Sequence, residues 1–316
     1  MKTNSIAILG LGLLTLVLVT AAVVAAQMPA RALHGETAIL AKSVDADTAQ
    51  ALDRVFENTD YTWPPAGQQS VPPILLNKLP ADFGSMLSAD KRRELFLRAL
   101  LPIVLVENQR LHEQRELATW LLDNKLPAKG SHMRDWLTKV AKRLRVRGDL
   151  NKPANRKKLL IRLDEIPPAL ALAQAAIETG WGSSRFALEG NSLFGQWTFV
   201  KAAGLTPENR DSDATHLVAS FPNLRASVRA YMHNLNTSNA YHEFRTFRAA
   251  ARAADKPLRA YDLANHLHRY SAQGENYIAE IKSIIRSPAI AALAKATLSR
   301  GQQTLVAESH KENSDG

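Results

Sequence analysis

Glu178 sits in the run Ala173-Gln174-Ala175-Ala176-Ile177-Glu178-Thr179-Gly180-Trp181-Gly182. The surrounding residues place it in the last turn of an apolar helix, where unpaired carbonyls form the negative end of the helix dipole. A carboxylate is disfavoured in that field, and Trp181 beside it can exclude water. Both effects raise a carboxyl pKa, so the pattern predicts a protonated Glu178 near neutral pH. Such an acid can protonate the leaving oxygen of a glycosidic bond. A second stretch, Asn191-Ser192-Leu193-Phe194-Gly195-Gln196-Trp197, follows closely. Asn, Ser and Gly favour a turn, and the aromatic residues supply apolar faces. Aromatic faces and exposed backbone amides are suited to gripping N-acetyl sugars. Ser192, Phe194, Gly195, Gln196 and Trp181 are therefore candidate substrate contacts.

The element that must carry Glu178 is a helix over Pro168–Thr179. Proline suits a first helical turn, and glycine suits the residue after a last one. The interior is alanine, leucine and isoleucine nearly all round, which marks a buried helix. Gln174 and Glu178, four apart, share one face. Ahead of it, Leu95, Phe96, Leu100, Leu101 and Val104 recur at helical spacing, with Pro102 expected to kink or split that helix. Another amphipathic segment carries Trp136, Leu137, Val140 and Leu144, with Lys139, Lys142, Arg143 and Arg145 interleaved. Short helices are expected near Ala46–Phe56, Leu159–Ile166, Leu224–Leu235, Glu243–Ala254, Leu258–Tyr270 and Asn276–Ile285, with a loop-rich stretch over 190–220. The division this suggests is 1–26 as a membrane segment, 27–85 as a proline-interrupted tether, and 86–155 as a helical region. A catalytic domain would span 156–290 and a polar tail 291–316.

The 316 residues carry a net charge of +10, which favours an anionic partner such as nucleic acid, a membrane face or the bacterial wall. The chain has no cysteine, which excludes disulfides, thiolate metal sites and a cysteine nucleophile. Lys2 precedes an uncharged apolar run from Ile6 to Ala26, long enough to span a bilayer. It reads as a signal peptide or as an uncleaved inner-membrane anchor, and either one exports the body of the chain to the periplasm. Export argues against nucleic acid as the partner. His112-Glu113 and His242-Glu243 lack the second histidine of a zinc-protease motif, and neither a phosphate loop nor a serine nucleophile elbow is present. The reading needs no metal and no cofactor.

The two runs together resemble glycoside hydrolase family 73, the N-acetylglucosaminidases that act on peptidoglycan. A longer set of matches resembles the Bax-type proteins of Gram-negative bacteria. It includes Ile166-Pro167-Pro168, Ser183-Ser184-Arg185-Phe186, Ser227-Val228-Arg229-Ala230-Tyr231-Met232, Arg269-Tyr270-Ser271 and Tyr277. The resemblance implies a mainly α fold of the α+β lysozyme-like kind, with a small loop or β lobe. It implies a peptidoglycan glycan strand as substrate, cut after N-acetylglucosamine. It makes Glu178 the general acid, Tyr270 a residue that positions substrate or water, and Tyr277 part of the cleft. The second catalytic carboxylate is open between Glu208, its loop neighbours Asp211 and Asp213, and the substrate's own acetamido group. Two rival functions are a wall-binding protein without catalysis and a lytic transglycosylase, which also uses one helix-terminal glutamate.

Overall fold

The structure, a computed structural model, describes residues 41–59, 61–65, 70–198, 200–206 and 217–299. The apolar run 6–26 and Glu208 lie outside them. Among the described residues no helix is long and apolar enough to cross a membrane.

The chain is mainly helical. Strand β1 (Lys42–Val44) and helix α1 (Ala49–Glu57) lead to strands β2 (Ser70–Val71) and β3 (Ile74–Leu76). Helices α2 (Ala89–Asp123), α3 (His132–Arg143), α4 (Pro153–Arg162), α5 (Pro168–Thr179) and α6 (Arg185–Gly190) follow. Strands β4 (Trp197–Thr198), β5 (Gly204–Leu205) and β6 (Leu217–Ala219) form a small antiparallel sheet in the order β4-β6-β5. Helices α7 (Leu224–Thr237), α8 (His242–Ala253), α9 (Ala260–Ala264), α10 (Glu275–Arg286) and α11 (Pro288–Ala291) precede a last strand, β7 (Thr297–Leu298). This is the mainly α, lysozyme-like arrangement with a small β lobe.

Helix α2 is the central post. Every residue from Leu95 to Asn108 is buried, so this stretch is surrounded by protein on all sides. It packs against β3, α4, α5 and α7. The helix runs unbroken through Pro102, where the sequence predicts a kink or split. An interior proline costs about 3 kcal/mol, and packing on every side of this turn offsets it.

The segment expected to be a tether is instead part of the core over its described residues. Strand β1 pairs in parallel with β3, Lys42 opposite Ile74. Leu52, Phe56, Leu75, Leu76 and Phe83 are buried in the main cluster. Its prolines punctuate short elements rather than loosening the chain: Pro72 and Pro73 separate β2 from β3. The expected polar tail is likewise packed as far as it is described, since β7 pairs in parallel with β2 and Leu293 is buried. Two expected helices have other bounds. Helix α4 starts earlier, at Pro153, and ends at Arg162, and α9 is shorter, spanning only Ala260–Ala264 before the chain turns.

Two polar clamps fix the start of α5. Asn108 on α2 donates to the Ile166 carbonyl at 2.7 Å and accepts from the Ile166 N–H at 3.0 Å. The fully buried Arg248 donates to the Glu165 and Ile161 carbonyls and to Asn236 Oδ1. The buried Asp164 carboxylate receives Arg252 at 2.9 Å and lies 3.5 Å from Arg248. A buried guanidinium is tolerated only when paired in this way.

Candidate functional site

Helix α5 ends in a Schellman motif. Gly180 adopts φ 55°, ψ 46°, its N–H bonds to the Ile177 carbonyl, and the Trp181 N–H bonds to the Ala176 carbonyl at 2.9 Å. Glu178 is therefore in the final turn, as the sequence predicts. Trp181 and Gly182 continue with φ of 61° and 80°. A Cβ at Gly182 would sit 2.8 Å from the Phe96 ring, so glycine is required there. Trp181 is strained in this conformation by on the order of 1 kcal/mol or more. Its ring turns toward α2, edge-on to Phe96 at 6.3 Å and under the Arg93 guanidinium at 5.5 Å.

Glu178 is half-buried, and its two carboxyl oxygens have different surroundings. Oε1 accepts a hydrogen bond from the Tyr277 hydroxyl at 2.7 Å. Oε2 faces Gly195, where a Cβ would come within 3.0 Å of it. Gly195 has φ +59°, so the turn needs glycine both for its backbone and for the space above the acid. Behind Glu178 the hydrogen bonds form a directed chain. Gln174, fully buried, donates from Nε2 to the Tyr277 oxygen at 3.0 Å and accepts from the Tyr231 hydroxyl on Oε1 at 2.7 Å. With Gln174 donating to it, Tyr277 directs its own proton at Glu178 Oε1. When Glu178 is protonated, Oε1 is thus the accepting oxygen, and the acidic proton belongs on Oε2, the oxygen facing Gly195.

Burial pushes the Glu178 pKa up, the Tyr277 hydrogen bond pulls it down, and the charge of Glu280 pushes it up again. The net direction is upward. Burial also holds the Tyr270 and Tyr277 phenols well above their usual range, so both remain hydrogen-bond donors at neutral pH.

Aromatic rings wall the site. Phe194 stacks on Tyr231 at 3.9 Å, Tyr270 stacks on Tyr277 at 5.5 Å, and Tyr270 lies edge-on to Tyr231 at 6.5 Å. The Tyr270 hydroxyl donates to the Phe194 carbonyl at 3.2 Å, fixing the Phe194-Gly195 turn. The Leu193 N–H bonds to Ser227 Oγ at 3.1 Å, which anchors the same turn to α7. Around that turn Asn191 Oδ1, Ser192 Oγ and Gln196 Oε1 are buried atoms without a hydrogen-bond partner among the described residues.

The structure therefore gathers Glu178, Phe194, Gly195, Tyr270 and Tyr277 around one point. Ser192 and Gln196 flank them in the same turn. Trp181 stands at the helix exit, with its ring against α2. Gln174 and Tyr231 join the site as the chain behind the acid. The four-residue spacing of Gln174 and Glu178 placed the two on one face, but their tyrosine partners come from 57 and 103 residues away from Gln174. Glu280 also bears on Glu178, and nothing local in the sequence marks it.

Residues 157–289 match the glucosaminidase family, described as mannosyl-glycoprotein endo-beta-N-acetylglucosaminidase. The chain is 33% identical over 201 residues to Protein bax of Escherichia coli (strain K12), a match covering 60% of this chain and 67% of that protein. No solved structure matches the chain. The match supports a glycan-hydrolase-like role for residues 157–289. The chain belongs to the Bax-type proteins that carry a glucosaminidase domain.

Proposed function

We propose that this protein is a periplasmic peptidoglycan hydrolase that cuts the glycan strand after N-acetylglucosamine, with Glu178 as general acid. The observation that carries the reading is the asymmetric setting of Glu178. One oxygen is held by Tyr277, the other faces the Gly195 turn, and burial favours the protonated form. A glycosidic oxygen placed near Oε2 would receive the proton as the bond to the anomeric carbon breaks. The carboxylate left behind is then stabilised by the Tyr277 hydroxyl. The second role, activating water or holding the oxocarbenium-like carbon, falls to Glu208, to Asp211 or Asp213, or to the substrate's acetamido oxygen. The apolar run 6–26, as signal peptide or inner-membrane anchor, supports the periplasmic location.

The test is product analysis. The full chain is incubated with purified peptidoglycan, and the new ends are identified by mass spectrometry. Reducing N-acetylglucosamine ends, lost in Glu178→Gln, are the expected result. Ends in 1,6-anhydromuramic acid would make the protein a lytic transglycosylase. Binding without release would make it a wall-binding protein.

A further inference from the structure

A pocket of about 390 Å³ lies where the exit of α5, the helix α10 and the start of α2 meet. Its walls include Trp63, Arg93, Glu94, Trp181, Ser283 and Ser287. Two of the elements that form it also form the acid site. Trp181 follows Glu178 by three residues. On α10, Tyr277, Glu280 and Ile284 recur at spacings of three and four, so they share one helical face, and Ser287 follows directly after the helix ends. Tyr277 holds Glu178, Glu280 acts on its charge, and Ile284 and Ser287 line the pocket. That face thus runs from the acid to the pocket. The seven residues from Tyr277 to Ile284 rise about 10 Å, a span of the order of a disaccharide.

The chemistry of the walls suits a sugar ring. Trp63 and Trp181 bring two indoles to one opening, the large apolar surface that matches the C–H face of a pyranose. The Arg93 guanidinium is held over Trp181 and tied to Asp90 at 3.3 Å, which orients its remaining donors at the rim. Glu94 lines the wall with Oε1 held by Lys91 and Arg98, and Ser283 and Ser287 offer hydroxyls. A few oriented polar groups around an apolar floor are the usual makings of a small-molecule site. The wall charges are already paired, Arg93 with Asp90 and Glu94 with Lys91 and Arg98, so an anionic ligand finds no free cation among them and a neutral polyhydroxylated one is favoured. The strained backbone at Trp181 fixes that indole in the wall.

We propose that this pocket is a distal glycan subsite that binds an N-acetylhexosamine ring of the strand being cut. Trp63, Arg93 and Glu94 all precede residue 157, where the glucosaminidase match begins. The region ahead of that domain would thus lengthen the substrate cleft. The inference rests on the glycan-hydrolase reading of the Glu178 site.

Binding of defined glycan oligomers to the full chain carrying Glu178→Gln, measured by calorimetry as a function of oligomer length, tests it. Affinity is expected to step up about tenfold, the scale of one well-packed aromatic contact, once the strand reaches the pocket. Adding Ser283→Trp fills the exposed mouth without removing any packing, and adding Arg93→Ala removes the rim donor. Each is expected to abolish the step. A step that survives both changes overturns the subsite and leaves the Glu178 reading intact. A step that appears only with strands carrying stem peptides overturns the sugar assignment. Failure of the Glu178→Gln protein to bind any glycan removes the reading on which the inference rests.

Discussion

Two buried glutamates, Glu107 and Glu178, respond in opposite ways to being taken out of water. Glu107 is fully buried on α2, and burial alone would push its pKa up. Three arginines reverse that. Its Oε1 receives Arg225 at 2.6 Å and Arg229 at 2.8 Å, and Oε2 receives Arg110 at 2.9 Å. The carboxyl is drawn down to about 2 and stays ionised. Glu178 is less buried, yet its pKa rises, because the side chain bonded to it is a phenol and the nearest charge acting on it is another carboxylate. Burial sets the size of the penalty on charge, and the partners decide whether the group keeps that charge. Glu107 ties α2 to α7, and Glu178 keeps a carboxyl whose protonated form its surroundings favour.

The sharpest test of this contrast replaces each carboxyl with its neutral amide. Glu178→Gln is expected to lower the rate of glycan cleavage by about 10²–10⁴-fold, measured as reducing ends released from peptidoglycan. The folded state disfavours ionised Glu178, so its charge costs stability at pH values above the raised pKa. The same variant should therefore be slightly more stable than wild type at neutral pH, by under about 1 kcal/mol, with the gain fading in acid. A destabilised Glu178→Gln protein would contradict the upward shift.

Glu107→Gln should do the reverse. Removing the anion leaves three guanidiniums crowded together, and the expected loss is about 3 kcal/mol, read from denaturant melts. Its lowered pKa adds stability that is present above the unfolded carboxyl value and is lost as pH falls through about 2. The two proteins should thus converge as pH approaches that value, with cleavage activity per folded molecule unchanged at neutral pH. Equal stability at neutral pH would show that the arginines do not depend on Glu107.

How much of this was legible in the sequence follows from how local each signal is. Helix α5 runs from Pro168 to Thr179 as expected, because its start and stop are written in adjacent prolines and glycines. The Asn191–Trp197 turn is local for the same reason. The chain behind the acid is not. Tyr231 and Tyr277 reach Gln174 from other helices, and no pattern within α5 names them. Helix α8 is expected from the sequence, but nothing local to it marks Arg248 as fully buried against Asp164, 84 residues earlier. The packing of residues 41–85 was hidden similarly: its strands are two or three residues long, and β1 finds β3 some thirty residues on. Glu208 lies outside the described residues, so the second catalytic group stays with the proposal.

The hydrogen bond to Glu178 can be tested apart from its burial. Tyr277→Phe removes the donor and leaves the stacked ring. Because that bond pulls the Glu178 pKa down, its loss should move the alkaline fall in activity to higher pH. The carboxyl also loses its orientation, so the maximal rate should drop about tenfold. A pH profile that shifts to lower pH would mean that Tyr277 does not stabilise the carboxylate.

The smallest expected effect belongs to Glu280, and it separates charge from contact. Its carboxylate is exposed on α10 and raises the Glu178 pKa through space. Glu280→Gln should therefore move the alkaline limb to lower pH, opposite to Tyr277→Phe, with a change in rate at neutral pH of no more than about threefold. The two shifts should also differ in their response to salt. An interaction reaching Glu178 through solvent is screened as ionic strength rises, whereas a 2.7 Å hydrogen bond is not. At high salt the Glu280→Gln profile should merge with that of the wild type, and the Tyr277→Phe profile should keep its displacement. If the Glu280→Gln shift persists undiminished at high salt, Glu280 acts on Glu178 by direct contact, and the acid would then have a charged partner of its own, as Glu107 has.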